Sequence, residues 1–104
     1  MSDFRVYENR STNSESYPFL LDVQSELLES LDTRLVIPLV KSEDVGRHQI
    51  RNLNPRIRIR ENEYFAMTQQ MAAISKAILG EAVEQAEFSR IDVLSSIDFL
   101  ITGI

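Results

Sequence analysis

The chain has no cysteine, which excludes a disulfide framework and thiolate metal sites and suits a reducing compartment. Histidine is nearly as scarce: His48 stands alone in a charged stretch beside Arg47 and Arg51. A lone loop histidine is ordinary surface, and without it no Ser–His–Asp or His–Cys set can be assembled. No glycine-rich phosphate loop, internal repeat or low-complexity tract is present. No apolar run approaches the roughly 20 residues that span a bilayer. Residues 1–7 lack the basic start and apolar centre of a signal peptide. Positive charge is in the minority, with 11 Lys and Arg against 16 Asp and Glu and a net charge of −5. A protein that grips nucleic acid through phosphates normally carries the opposite balance. These absences predict a cytoplasmic protein with no membrane segment, catalytic residue, metal or cofactor, which acts by binding another protein.

What is present suits one folded unit. The 104 residues are 43% hydrophobic, enough for a single core over 1–104 and unlike a disordered or fibrous chain. Phe4 to Tyr7 alternates as a strand, and Asn9 to Ser16 is a polar loop. In Tyr17 to Gln24, a second strand, Phe19, Leu21 and Val23 share one face. Glu26 to Leu31 is a loop or a single helical turn. Arg34 to Lys41 is a strand whose Pro38 predicts a sheet edge or a bulge. Ser42 to Asn54 reads as irregular. Arg56 to Arg60 alternates strictly, then turns at Glu61-Asn62 into Glu63 to Thr68, a hairpin. Met71 to Leu79 is compatible with helix or strand, and Gly80 ends it.

The last segment reads as a helix opened by a capping-box variant, Ser89 with Asp92, with Glu84 and Glu87 near its positive end. Val93, Leu94, Ile97, Leu100, Ile101 and Ile104 form a stripe expected to pack on the sheet. Asp98 and Thr102 lie off it. So do Ile91 and Phe99, which a two-fold interface between copies would bury. The class is α+β, mainly β, with antiparallel strands followed by a C-terminal helix.

Three charged or apolar features are candidates for binding. Arg56, Arg58 and Arg60 project from one strand face and repel one another unless an acidic partner or Glu63 intervenes. The alternative is a solvated sheet face over inward Ile57 and Ile59. Leu27 and Leu28, adjacent after Ser25-Glu26, cannot both point inward from a short turn. Glu81, Glu84 and Glu87 would hold a hard cation only if clustered, and solvation near the helix start explains them.

In this order, the segments resemble the CcdB family, toxins of toxin–antitoxin pairs. The resemblance covers nearly the whole chain. It is carried by Phe4 with Val6-Tyr7, by Asp22-Val23-Gln24-Ser25, and by Arg34 with Val36-Ile37-Pro38-Leu39. Met67-Thr68, Met71-Ala72, Gly80 and Gly103-Ile104 add to it. It implies an SH3-like barrel with a small extra sheet and a C-terminal helix, in a symmetric homodimer. It implies a toxin that binds the DNA gyrase A subunit and traps the enzyme on cleaved DNA. It also implies a CcdA-like antitoxin that neutralises the toxin and joins it in repressing the shared operon, so that operator DNA is met only through that complex. The family's gyrase-contacting positions fall on Leu27, Leu28, Asp98, Ile101, Thr102, Gly103 and Ile104. The family pattern has tryptophan where Thr102 stands and asparagine where Asp98 stands. Losing an aromatic anchor removes a contact worth ~2 kcal/mol or more. The antitoxin's acidic segment is expected on Arg56, Arg58 and Arg60, from charge alone.

An enzyme is the alternative. The MazF and Kid endoribonuclease toxins share this fold, and Arg56, Arg58, Arg60 and His48 would then serve as phosphate clamp and acid–base group. A toxin that binds antitoxin without harming gyrase is a third reading.

Overall fold

A computed structural model describes residues 4–45 and 50–103. Seven strands and a C-terminal helix make up its framework, in the order β1 (Arg5–Asn9), β2 (Phe19–Asp22), β3 (Thr33–Lys41), α1 (Ser42–Val45), β4 (Arg56–Ile59), β5 (Asn62–Ala66), β6 (Ala72–Ser75), β7 (Leu79–Gln85) and α2 (Arg90–Thr102). The strands form one sheet in the order β4-β5-β3-β2-β1-β7, with β6 also paired to β3. All pairings are antiparallel. The sheet curls into a half-barrel with the helix against it, the expected α+β, SH3-like class.

Alternation in the sequence decides which side chains enter the core. Val6 of β1, Leu21 of β2, Ile37 and Leu39 of β3, and Ile57 and Ile59 of β4 are all buried in one cluster with Phe4, Tyr64 and Val93. Phe19 and Val23 pack against it, and the other face of the second strand is covered as well, with Leu20, Asp22 and Gln24 buried. A smaller cluster of Val45, Phe65 and Met67 lies with Tyr17 and Val40.

Pro38 is not at an edge. β3 pairs with β2 along one side, while its other side meets β6 at residues 33–36 and β5 at residues 39–41. The Pro38 carbonyl accepts from Met67 N–H at 2.9 Å, so its backbone polar edge faces the side where β6 gives way to β5. The missing N–H therefore falls in the gap between two partners, where no ladder bond is lost.

Other expectations need correction. Ser42 to Val45 is a turn of α-helix rather than irregular chain. Met71 to Leu79 divides into β6, a 3-10 turn over Lys76–Ile78 and the start of β7, and Gly80 lies inside β7 instead of ending an element. A Cβ at Gly80 would come within 2.9–3.2 Å of Arg10 and Glu8 side-chain atoms, so close approach of the β1 end is what glycine provides there. Glu81 and Glu84 accordingly belong to a strand, and only Glu87, in a 3-10 turn over Glu87–Ser89, stands near the helix start. Among the described residues no acidic group has the clustering a metal ion needs. The hairpin turns one residue earlier than expected. Ile59 pairs with Asn62, leaving Arg60 and Glu61 as the loop.

The helix also differs from its expected packing. Ser89 makes no side-chain cap bond; instead Glu87 pairs with Arg90 at 3.0 Å, and the Arg90 guanidinium lies 5.0 Å from the Phe4 ring centroid. The buried residues of α2 are Val93 and Ser96, with Ile97 partly covered. Leu94, Leu100 and Ile101 are exposed, and Ile104 lies outside the described residues. Apolar side chains occur nearly all round this helix, so periodicity alone does not choose the inward face. A buried hydroxyl contact chooses it: Thr68 Oγ1 meets Ser96 Oγ at 2.9 Å, and Ser96 in turn donates to the Val93 carbonyl at 2.7 Å.

Candidate functional site

Two elements present apolar side chains to solvent where a protein that binds through its surface would use them. The first is the turn after β2. Ser25 Oγ accepts from Leu27 N–H at 3.2 Å and starts a 3-10 turn over Glu26–Leu28. Leu27 is 88% exposed and Leu28 48%. The adjacent leucines were expected to send at least one side chain outward, and both point out. Leu31, which sequence reading did not single out, is exposed beyond them.

A buried polar network lies beneath this turn. Asp22 Oδ1 accepts from Gln24 N–H at 3.0 Å, and Asp22 Oδ2 is gripped by Arg34 through Nε at 3.0 Å and Nη2 at 2.7 Å. Gln24 Oε1 accepts from Leu35 N–H at 2.9 Å, and its Nε2 donates to the Leu28 carbonyl at 3.1 Å. The Asp-Val-Gln-Ser stretch and Arg34 thus owe their residue types to one structural task, joining the end of β2 to β3 and to the turn.

The second element is the outer face of α2. Ile91, Leu94, Asp98 and Ile101 follow one another at spacings of 3, 4 and 3, so they line one side of the helix. All four are exposed, Ile101 at 73% and Ile91 at 76%. Thr102 lies beside them and donates its hydroxyl back to the Asp98 carbonyl at 2.7 Å. Gly103 closes the helix in the left-handed region, at φ +74°, with its N–H on the Phe99 carbonyl at 2.9 Å. Leu94 belongs to this outer face and was assigned inward from the sequence. Its spacing to Asp98 and Ile101 carried the signal. Phe88, just before the helix, is fully exposed and drew no notice either. Phe99 is on a neighbouring side, half-buried beside a cavity of about 340 Å³ lined by Asn52, Pro55, Asp92 and Ser95.

The arginines separate. Arg56 and Arg58 project from β4 while Ile57 and Ile59 are buried. Arg60 is not a third member of that strand face. It sits in the hairpin turn at φ +57°, and its N–H donates to Glu84 Oε2 at 3.3 Å. Arg56 lies 3.4 Å from Glu63 and 5.6 Å from the Phe65 ring centroid, so the acidic neighbour partly neutralises the cluster. Arg58 Nε donates to the Arg60 carbonyl at 3.3 Å. His48, the acid–base group of the alternative reading, lies outside the described residues.

Compared with known protein families, the chain matches the CcdB protein family over residues 3–103. It belongs to the CcdB family. Membership implies a gyrase-poisoning toxin of a toxin–antitoxin pair, with antitoxin and gyrase as partners. CcdB toxins poison gyrase rather than acting as enzymes themselves. The two exposed elements described above carry the positions that the resemblance assigns to gyrase contact in CcdB, save Ile104. No described helix is long and apolar enough to cross a membrane.

Proposed function

We propose that this protein binds the A subunit of DNA gyrase in the cytoplasm and traps the enzyme with its DNA cleaved. Leu27, Leu28, Asp98, Ile101, Thr102, Gly103 and Ile104 make the contact. The observation that carries this reading is the outer face of α2, which leaves Asp98, Ile101 and Thr102 in solvent with Leu94 beside them. An apolar face interrupted by one carboxylate suits a partner that offers an arginine or lysine within an apolar pocket.

The chain works as one toxin domain, 1–104, in a homodimer with Ile91 and Phe99 in the interface. A CcdA-like antitoxin neutralises it and joins it in binding the operator, with Arg56, Arg58 and Arg60 receiving the antitoxin's acidic segment. Arg58 supports this most, since among the described residues it has no carboxylate in ion-pair range.

The test is controlled expression in cells with wild-type gyrase and in cells with a toxin-resistant gyrase A subunit. Killing confined to the first is expected, and killing of both would overturn the reading. Asp98→Lys should abolish binding to the purified A subunit with little change in the thermal midpoint, because Asp98 touches no part of the core. Antitoxin binding should persist. If Asp98→Lys kills at the wild-type expression threshold, the contact face has been misassigned.

A further inference from the structure

We propose that Gln24 and Lys76 are positioning residues, which hold the turn after β2 in a single backbone conformation so that Leu27 and Leu28 meet their target already arranged. The proposal rests on the gyrase-binding reading above and adds two residues that do not touch the target.

A turn with an apolar tip in water has little burial to order it. Here a cleft of about 360 Å³, lined by Arg5, Tyr7, Glu26, Glu29 and Lys76 among others, separates the turn from the sheet. Side-chain packing is therefore a poor source of its order, and polar tethers take over. Within the turn, Leu28 N–H reaches the Ser25 carbonyl at 3.0 Å and Leu31 N–H the Leu28 carbonyl at 3.1 Å. Those bonds are local and would form and break with the turn itself. Gln24 and Lys76 tether it from outside. Gln24 Nε2 holds the Leu28 carbonyl from below, and Gln24 is 8% exposed and locked in turn by Leu35 and Asp22. Lys76, 47 residues beyond Glu29, donates its ammonium to the Glu29 carbonyl and its N–H to the Asp32 carbonyl at 3.1 Å. The two tethers grip consecutive carbonyls, directly after the exposed leucines. Arranged in advance, the turn spends its ordering entropy on folding and not on association, which favours tight binding.

The experiment uses the full chain with Gln24→Met, which keeps side-chain length and removes both polar atoms, and with Lys76→Met, an exposed site whose loss leaves the core untouched. Each is expected to weaken binding to the purified gyrase A subunit about tenfold. Antitoxin binding should stay at the wild-type level. Amide hydrogen exchange should accelerate from Leu27 to Leu31 and remain unchanged in β2 and β3, apart from Leu35, whose N–H loses its acceptor in Gln24→Met. A merely stabilising residue would not produce that local pattern. In a background carrying Leu27→Ala and Leu28→Ala, neither methionine variant should weaken binding further, because the tethers act only through the leucines. If the leucine variant binds poorly while Lys76→Met and Gln24→Met bind like wild type, the positioning role is wrong and the gyrase reading stands. If the leucine variant itself binds like wild type, the contact assigned to the turn is wrong, and the positioning role falls with it. Should Gln24→Met fail to fold, Lys76→Met decides.

Discussion

Arg60 occupies the hairpin turn between β4 and β5. Strict alternation from Arg56 made it the third arginine on a strand face, but the strand ends at Ile59 and Arg60 enters the turn at φ +57°. Left-handed backbone costs an L-residue about 1–2 kcal/mol, and glycine or asparagine is the usual occupant of such a turn. No glycine marks this hairpin, so its register could not be read from the chain. Arg60→Gly should therefore hold or raise stability, by up to ~1 kcal/mol, in urea unfolding. The same variant separates strain from binding: if Arg60 contributes to antitoxin recognition, association should slow and lose salt sensitivity while stability does not fall. A drop in stability would mean that the Arg60 side chain, and not only its N–H on Glu84, secures the turn.

At the scale of elements, alternation maps directly onto burial in β4, whereas β2, β3 and β5 bury consecutive residues. Ile57 and Ile59 were expected inward and are buried, as are Val6, Leu21, Ile37 and Leu39. The family resemblance located the candidate surface, and the adjacent leucines announced their own exposure. The helix was legible as a helix and misread as a face. Its apolar residues are too evenly spread for periodicity to select a side, and the side is set by Ser96 against Thr68, two polar residues distant in sequence. No pattern within α2 could reveal a partner on another element. Gly80 was misleading for a similar reason, since what demands glycine there is the neighbouring β1 end rather than a terminus. The hydroxyl pair gives a sharp expectation. Ser96→Ala removes the acceptor of a fully buried Thr68 hydroxyl and should cost about 1–3 kcal/mol in chemical denaturation. Ile101→Ser, on the outer face, should stay within about 0.5 kcal/mol of wild type although it deletes the larger apolar side chain. Equal losses would mean that the helix packs through its outer face after all.

For the whole molecule, the distribution of exposed apolar side chains bears on assembly. Leu27, Phe88, Ile91, Leu94 and Ile101 all face solvent in one chain, a load that a permanently monomeric protein seldom carries when it is contiguous. A homodimer that buries Ile91, at the start of α2, would cover part of it and leave Asp98 and Ile101 to another partner. Light scattering at micromolar concentration should then give about twice the chain mass of 12.0 kDa. Ile91→Lys should shift the population to monomer. A monomer in the wild type would leave the whole face to other partners.

The seat of β1 has a consequence in time as well as in space. β1 lies between β2 and β7, pairing Val6 with Leu21 on one side and Arg5 with Gln85 on the other. On a ribosome the first partner follows almost at once, while the second arrives only when most of the chain has been made. Until then the strand that will sit inside the sheet is an edge, with unpaired backbone groups open to any passing strand. A chain interrupted before Leu79 is therefore not a weaker toxin with a missing helix. It is six of the seven strands with β1 left as an open edge, and synthesis must reach β7 before that edge is covered.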